Sequence, residues 1–256
     1  MRRALSAMIL PAFDIQGHRG APHLRPENTL ASFEAALDGG ATSLECDVHV
    51  TADGVPVLCH DPWVETAAGR RFVRDLTLAE CSRPSLTDLY EFVRRYAGRR
   101  TKPAVVVDVE VKRYPYEDAG DGRLVRAIEE AVVAVIRTAG MNPAARQETR
   151  VRSFDHRTVR RLVDAEPRLT GVAIVEGTAP VDLAAVVRAA GAKIYGPDFR
   201  FLVEEQVRQC HAAGIAVIPW TVNDPADWAR LVAWDVDGIT TDYPDRLAAF
   251  LASGVA

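Results

Sequence analysis

Short apolar runs alternate with longer amphipathic segments along most of this chain. The apolar runs are typical of strands and occupy eight ranges: 13–17, 43–48, 105–111, 150–154, 169–175, 193–197, 216–222 and 238–241. The amphipathic segments predict helices that include 29–37, 122–138, 155–164, 181–190, 202–213 and 225–234. Strands that alternate with helices are usually parallel and joined by helical crossovers. With 256 residues, the chain suits one α/β barrel, so we expect a single domain over residues 1–256.

Two carboxylates share one face of the second predicted strand. Glu45 and Asp47 are separated by one residue, so their side chains point to the same side of an extended chain. Like charges held this close repel unless a cation or a proton lies between them, which favours a metal site. A solvated strand edge is the alternative for an isolated pair of this kind. Cys46, between the two, is expected to face the helices as a small buried apolar residue.

A second group of charged residues lies on the third predicted strand. Asp108, Glu110 and Lys112 share one face of an otherwise apolar, β-branched run. Such a run is typical of a strand covered on both faces, where charges are costly unless they are paired or bind a metal. We therefore interpret this face as a site, with Glu110 as a third oxygen ligand and Lys112 as a positive charge for a phosphate oxygen. A salt-bridged core is the alternative.

Two of the six histidines stand where catalytic residues are expected. His18 follows the first predicted strand, and His60 follows an apolar run at 55–59. Because imidazole both gives and takes protons near neutral pH, one of the pair can act as a base while the other acts as an acid. With the carboxylates and Arg19, the pair suits the cleavage of a phosphodiester. The remaining four are interpreted as structural: His23, His49, His156 and His211.

Charge and composition exclude several other classes. The formal net charge of −4 indicates no basic surface for nucleic acid. No run is long enough to span a membrane, and the apolar stretch at 4–10 is at the lower limit for a signal peptide, so we predict a cytoplasmic protein. The four cysteines show neither zinc spacing nor a disulfide framework, as expected in a reducing compartment. Nothing in the sequence indicates the oligomeric state.

Eight short motifs occur in a characteristic order: His18-Arg19-Gly20, Pro26-Glu27-Asn28-Thr29, Glu45-Cys46-Asp47, His60-Asp61, Glu110-Val111-Lys112, Ser153-Phe154-Asp155, Trp220-Thr221-Val222-Asn223 and Gly238-Ile239-Thr240-Thr241-Asp242. Their order and spacing closely resemble those of the glycerophosphodiester phosphodiesterase family. The resemblance extends over about residues 13–246, almost the whole chain. It implies a TIM (β/α)8 barrel in a single domain, with a short loop insertion after the second strand.

The resemblance also implies an activity and a set of site residues. The enzymes of the family release sn-glycerol 3-phosphate and an alcohol from small-molecule glycerophosphodiesters. In the chemistry proposed for them, the glycerol 2-hydroxyl attacks phosphorus and water then opens the cyclic phosphate. By matching position, the metal ligands for Mg²⁺ or Ca²⁺ would be Glu45, Asp47 and Glu110, the acid–base pair His18 and His60, and the substrate contacts Arg19, Lys112 and Trp220.

The chain departs from the family pattern at one place and leaves two other functions open. Many members carry an Arg-Thr pair shortly after the His-Asp motif, whereas this chain has Glu65-Thr66. A phospholipase D-type enzyme acting on lysophospholipid or sphingolipid would need an apolar surface at the cleft mouth, for which Trp63, Phe72 and Tyr114 are the candidates. A non-catalytic protein that binds phosphoesters is the third interpretation.

Five further residues have more than one interpretation. Trp220 either packs at the barrel mouth or forms a wall for substrate, and packing is favoured for Phe154. Asp242 either braces a site residue or caps the next turn. Asn28 is expected to cap the first helix and Glu27 to pair with Arg19, and both are interpreted as supports for site residues rather than as catalysts.

Overall fold

Eleven strands and nine α-helices are the main elements in the described part of a computed structural model, which covers residues 13–98, 105–113, 123–140 and 148–254. The strands are β1 (Asp14–Gly17), β2 (Ser43–Val50), β3 (Pro56–Leu58), β4 (Trp63–Thr66), β5 (Gly69–Phe72), β6 (Val106–Val111), β7 (Thr149–Ser153), β8 (Thr170–Val175), β9 (Ile194–Pro197), β10 (Ala216–Val217) and β11 (Gly238–Thr241). The helices are α1 (Leu30–Asp38), α2 (Leu78–Cys81), α3 (Leu86–Gly98), α4 (Arg123–Val135), α5 (His156–Ala165), α6 (Leu183–Ala189), α7 (Glu204–Ala212), α8 (Pro225–Ala233) and α9 (Pro244–Ala252).

Eight of these strands form a parallel barrel. Their order is β10-β9-β8-β7-β6-β2-β1-β11, and every neighbouring pair in this order is parallel. The two ends of the sheet meet through backbone hydrogen bonds, because Val222 N donates to Thr240 O at 2.9 Å and Thr240 N donates to Pro219 O at 3.0 Å. The predicted fold, a TIM barrel in a single domain, is therefore confirmed.

The predicted elements agree with the observed ones except at the seventh barrel strand. The pattern predicted a strand over 216–222, but regular pairing ends at Val217. Pro219 has no amide hydrogen for a strand ladder. Beyond Val217 the chain is therefore joined to its neighbours by isolated backbone contacts, among them a bridge between Asp198 and Trp220. Part of the predicted helix at 122–138 lies outside the described residues, as do residues 1–12 and Tyr114.

The insertion after β2 contains regular structure of its own. β3 runs antiparallel to β2, with Val48 opposite Leu58 and Val50 opposite Pro56. β4 and β5 then form a separate two-stranded hairpin. Because β2 continues past the barrel to pair with β3, Glu45 and Asp47 lie within this strand and not at its carboxyl end.

The side chains that point into the barrel divide into a charged half and an apolar half. Buried polar residues occupy the side formed by β1, β6 and β7: Asp14, Gln16, Asp108, Arg150 and Arg152. An apolar cluster fills the side formed by β8, β9 and β10, and it consists of Val172, Ile174, Ile194, Ala216 and Ile218. The charged half lies beneath the motifs that the sequence singled out.

Arg152 joins three strands at the centre of the charged half. Its Nε donates to Asp108 Oδ1 at 2.9 Å, and its Nη2 donates to Gln16 Oε1 at 2.5 Å. Gln16 in turn donates to Asp108 Oδ2 at 3.0 Å and accepts from Thr240 Oγ1 at 2.6 Å. One layer nearer the amino ends of the strands, Arg150 pairs with Asp14. Since a buried charge is costly unless it is paired, these contacts permit a polar barrel interior.

The outward faces of the strands pack against the helices. Leu44, Cys46 and Val48 of β2 lie in one apolar cluster with Val107 and Val109 of β6. Cys46 is fully buried on this side, as predicted from its alternation with Glu45 and Asp47. Among the helices within the described ranges, none combines the length and the apolar character that a membrane crossing requires.

We expect Arg150→Met to lower the free energy of unfolding by about 3–5 kcal/mol, because it leaves Asp14 buried without its partner. Urea denaturation followed by circular dichroism measures the change. The matched control is Arg160→Met, since Arg160 pairs with Asp164 on the exposed face of α5. An exposed pair contributes no more than about 1 kcal/mol. Equal losses in the two variants would contradict this account of the barrel interior.

Candidate active site

The loop after β1 is held against α1 by a glycine that admits no side chain. Gly20 has φ +94°, and a Cβ built there would lie 2.4 Å from Ser32 Oγ. The preceding Arg19 also has a left-handed backbone, with φ 55°. Left-handed conformations in residues other than glycine are uncommon and cluster at functional sites. The backbone therefore turns sharply at this point and directs Arg19 toward β2.

Arg19 connects the loop to the carboxylates. Its backbone amide donates to Glu45 Oε2 at 2.9 Å, and its Nε lies 3.1 Å from Asp47 Oδ2. Its Nη1 donates to Glu27 Oε2 at 2.9 Å, which confirms the predicted pair. The guanidinium thus reaches the cavity with part of its charge already compensated.

Asn28 supports Asp47 and does not cap the first helix. Its Nδ2 donates to Asp47 Oδ2 at 2.8 Å, and its Oδ1 accepts from Asp47 N at 3.2 Å. The cap is Thr29, whose Oγ1 accepts from Ser32 N at 3.2 Å. The predicted cap was wrong because a cap residue needs an extended backbone, which Thr29 has, whereas Asn28 has φ 55°.

Three carboxylates converge on one point above the ion-paired layer. Asp47 of β2 lies directly opposite Glu110 of β6 in the strand register. One oxygen from each of Glu45, Asp47 and Glu110 can be chosen so that all three lie within 4.8 Å of one another. The structure therefore brings together the three residues that the sequence predicted as metal ligands.

Burial and neighbouring charges give these carboxyl groups different acidities. Burial and the Asp47 carboxylate raise the pKa of Glu45 to about 7. Burial also opposes the ionisation of Asp47, but the Lys112 and Arg19 charges outweigh it and lower the pKa of Asp47 to about 2. Lys112 Nζ lies 2.6 Å from Glu110 Oε1 and 3.0 Å from Asp47 Oδ1. The lysine compensates two of the three carboxylates and leaves Glu45 the least satisfied.

The donor set suits a hard divalent cation. Glu45 Oε1 is buried and has no hydrogen-bond partner within the part of the chain that the structure describes. Oxygen ligands of this kind are the ones that Mg²⁺ and Ca²⁺ prefer. A cation between the three carboxylates would satisfy this oxygen and would relieve the repulsion that raises the pKa of Glu45.

His18 is oriented by Asp242, a residue that the sequence left between two interpretations. His18 Nδ1 lies 2.7 Å from Asp242 Oδ1, and Asn223 Nδ2 donates to Asp242 Oδ2 at 2.6 Å. Burial alone would lower the pKa of His18, but the hydrogen bond to Asp242 and the charge of Glu45 outweigh it and raise that pKa. Because β1 pairs with β11, the residues that follow these two strands lie side by side. The position of Asp242 directly after the last predicted strand was therefore the one feature of the sequence that could have indicated its contact with His18.

His60 returns to the barrel mouth because β3 runs back along β2. Cys59 N donates to Asp47 O at 3.0 Å, which places the next residue level with the carboxylates. His60 Nδ1 lies 2.9 Å from Asp61 Oδ1, and the His60 carbonyl oxygen contacts His49 Nε2 at 3.1 Å. Each of the two candidate catalytic rings thus has Nδ1 beside a carboxylate, which leaves Nε2 for proton transfer.

These side chains surround a cavity of about 230 Å³ at the mouth of the barrel. Its charged wall includes His18, Arg19, Glu45, His60, Glu110, Lys112 and Arg152. Its other wall includes Phe154, Ile174, Glu176 and Trp220. Trp220 packs on the apolar cluster inside the barrel, as one interpretation predicted, and it also lines the cavity, where the other interpretation places it.

Glu65 and the four histidines interpreted as structural do not line this cavity. Glu65 pairs with Arg70 at 2.9 Å on the exposed β4–β5 hairpin, so its negative charge is compensated there. Four histidines make contacts that suit a structural role: His23 with Asp242 O, His49 with His60 O, His156 with Ile174 O and His211 with Asp237 Oδ2.

Comparison with known proteins finds similarity to one family of enzymes. The model of the glycerophosphoryl diester phosphodiesterase family matches residues 18–246. The glycerophosphodiester phosphodiesterase of Caldanaerobacter subterraneus subsp. tengcongensis is 28% identical over 253 residues, which cover 93% of this chain and 97% of the relative.

Solved structures share the fold. A Silicibacter pomeroyi protein superposes with a TM-score of 0.83 at 27% identity, and the match covers 98% of both chains. An Oleispira antarctica phosphodiesterase in complex with the product sn-glycerol-3-phosphate superposes with a TM-score of 0.81 at 22% identity, covering 97% of this chain and 99% of the other.

We expect Gly20→Ala to destabilise the protein more than Gly54→Ala. Both glycines have positive φ, but an added Cβ at Gly54 would meet nothing within 4 Å. Gly54→Ala therefore costs only the conformational term, about 1–2 kcal/mol, whereas Gly20→Ala adds a steric cost of about 1–3 kcal/mol. Urea denaturation of both variants measures the difference. Equal free energies of unfolding would show that the loop is not packed tightly on Ser32.

Proposed function

Since the chain belongs to the glycerophosphoryl diester phosphodiesterase family, we propose that it hydrolyses glycerophosphodiesters to sn-glycerol 3-phosphate and an alcohol, with a divalent cation and two histidines. The observation that carries the proposal is the convergence of His18, His60, Glu45 and Glu110 on one cavity. A purely structural core would gain nothing from two histidines and three carboxylates at the same point.

We assign the cation to Glu45, Asp47 and Glu110. When bound, Mg²⁺ or Ca²⁺ would supply a Lewis acid for a phosphate oxygen. Arg19 and Lys112 both line the cavity and would hold the phosphate by charge-assisted hydrogen bonds. Asn28 maintains the position of Asp47 through its two hydrogen bonds. Two positively charged side chains and a metal site on one wall suit a substrate that carries a negative charge at its centre.

Proton transfer falls to the two histidines. Asp242 and Asp61 each accept at the Nδ1 side of one ring, so the proton on the other nitrogen is the one that moves. In the first step, one histidine takes the proton of the glycerol 2-hydroxyl as its oxygen bonds to phosphorus, and the other protonates the departing alcohol. In the second step the roles reverse, and water opens the cyclic phosphate to sn-glycerol 3-phosphate.

The lipid alternative has less support. Trp63 and Phe72 lie on the β4–β5 hairpin with ring centroids 6.4 Å apart. The Arg70 guanidinium lies over the Trp63 ring and that of Arg74 over the Phe72 ring. Charged groups therefore cover part of the apolar surface that a lipid chain would need. The cavity volume of about 230 Å³ suits a small head group better than a lipid.

The proposed function is tested with metal-stripped protein and glycerophosphocholine or glycerophosphoethanolamine. We expect release of glycerol 3-phosphate to require added Mg²⁺ or Ca²⁺, because the three carboxylates need a cation between them. An enzyme-coupled assay for glycerol 3-phosphate measures it.

In the same assay, we expect His18→Ala or His60→Ala to lower kcat by about 10²–10⁴-fold. His211→Ala is the matched control and should leave kcat unchanged, since His211 contacts Asp237 away from the cavity. Full activity in either site variant would refute the acid–base assignment, and no release with any metal would refute the hydrolysis.

Asp242 is expected to act as a positioning residue. Because Asp242 raises the pKa of His18, Asp242→Asn should lower that pKa and shift the His18 titration to lower pH. Loss of the orienting carboxylate should also lower kcat by about 10–100-fold. Histidine titration by NMR and the pH profile of kcat/KM measure the two effects.

The control for this variant is Asp237→Asn, which removes the carboxylate partner of His211 instead. It should leave the His18 titration unchanged. An unmoved His18 titration in Asp242→Asn would show that Asp242 does not set the state of that ring.

A further inference from the structure

The two candidate catalytic histidines are held at the barrel mouth in different ways. The backbone at His18 continues the pairing of β1 with β11, since His18 N donates to Thr241 O at 3.0 Å. β3, by contrast, ends two residues before His60, and beyond it Cys59 N still donates to Asp47 O at 3.0 Å. His60 therefore lies just past the paired region, and its position needs another support.

The carboxylate beside the His60 ring is a weak support. Asp61 is the next residue of the same turn, and its side chain is 52% exposed, whereas that of His60 is 33% exposed. Water and salt screen an ion pair that is open to solvent, so such a pair does little to fix the position of its members. Because Asp61 moves with the turn, its contact orients the ring within the turn and does not fix the turn against the barrel.

His49 provides a contact that joins this turn to the barrel. Its Nε2 lies 3.1 Å from the carbonyl oxygen of His60, and since that oxygen can only accept, the ring nitrogen donates. His49 is 6% exposed. A buried N–H that loses its acceptor is costly, so the bond opposes any displacement of the carbonyl. Nε2 carries a proton both in the protonated ring and in the neutral tautomer that this contact selects, so the bond does not depend on the charge of His49.

The strand that carries His49 also carries the metal ligands on β2. Asp47 and His49 are two positions apart and share one face of the strand, about 7 Å apart along it. β2 pairs with β6 up to Val48 and with β3 from Val48 to Val50, so neighbouring strands hold the segment between the two side chains. A hydrogen bond from this segment to His60 therefore sets the catalytic ring relative to the proposed cation.

We propose that His49 is a positioning residue, which holds His60 in register with the metal ligands through the bond from its Nε2 to the His60 carbonyl. The inference rests on the proposed hydrolysis, in which His60 transfers a proton while the phosphate lies at the cation. A displacement of about 1 Å can cost about 100-fold in rate. His49 does not line the cavity, so it acts on kcat through His60 and touches neither the substrate nor the reacting atoms.

Two amide variants of different length test the donor. The side-chain amide nitrogen of His49→Gln reaches about as far as Nε2 and can replace the bond, whereas that of His49→Asn reaches only about as far as Nδ1. We expect His49→Asn to lower kcat for glycerophosphocholine by about 10–100-fold with little change in KM, because the residues proposed to hold the phosphate stay in place. His49→Gln should keep most of the wild-type kcat.

The matched control is His211→Asn, which shortens a histidine whose Nε2 contacts Asp237 Oδ2 outside the cavity. It should leave kcat unchanged. Equal kcat in the two His49 variants, whether both fall or neither does, would overturn the proposal, because the reach of the donor would then be irrelevant to the reaction.

Two NMR measurements on the substrate-free protein separate this inference from the hydrolysis. A long-range proton–nitrogen correlation spectrum of the wild-type protein should show a proton on His49 Nε2, and a bare Nε2 would overturn the contact. In His49→Asn the ring signals of His60 should shift or broaden while those of His18 stay in place, since Asp242 holds His18. Unchanged His60 signals would overturn the positioning role.

Absence of hydrolysis in the wild-type protein would refute the proposed function instead. The same two spectra would then decide whether His49 holds His60, because neither of them needs substrate or turnover.

Discussion

The ion-paired layer inside the barrel is the interaction on which the site depends. Arg152 binds Asp108 and Gln16, and Gln16 accepts a hydrogen bond from Thr240, so one guanidinium connects β7 with β6 and β1 and, through Gln16, with β11. Buried charges are tolerated only when they are paired. Because this layer is satisfied internally, the carboxylates above it are free to face the cavity and not a partner within the core. The polar half of the barrel thus forms a rigid floor for the site.

Above that floor, the acidities follow from where the positive charges lie. Lys112 and Arg19 both reach Asp47, so its pKa is about 2, whereas Glu45 is buried beside Asp47 and has a pKa of about 7. The group is therefore incomplete without a cation, and one buried oxygen of Glu45 has no partner among the described residues. The cavity has opposite character on its two sides, with cations and metal ligands on one and rings with Glu176 on the other.

The periodicity of the sequence predicted much of this arrangement for simple reasons. Alternation along a strand determines which face each side chain takes, so Glu45 and Asp47 converge while Cys46 points outward, as observed. The same rule grouped Asp108, Glu110 and Lys112. It failed at 218–222, where Pro219 interrupts regular pairing, and at Asn28, where a left-handed backbone moves the cap to Thr29. Both failures are local backbone effects that a hydrophobic pattern does not contain.

By itself, the sequence determined the fold class, the number of barrel strands and the faces on which the candidate ligands lie, because these depend on short-range periodicity. Only the tertiary structure decided the partners. His18 and Asp242 are 224 positions apart and meet because the first and last barrel strands pair. Glu176 shares a cavity with Phe154 and Trp220 because β7, β8, β9 and β10 are consecutive neighbours in the sheet. Contacts across a closed barrel depend on the register of all eight strands, and no local segment of the chain specifies that register.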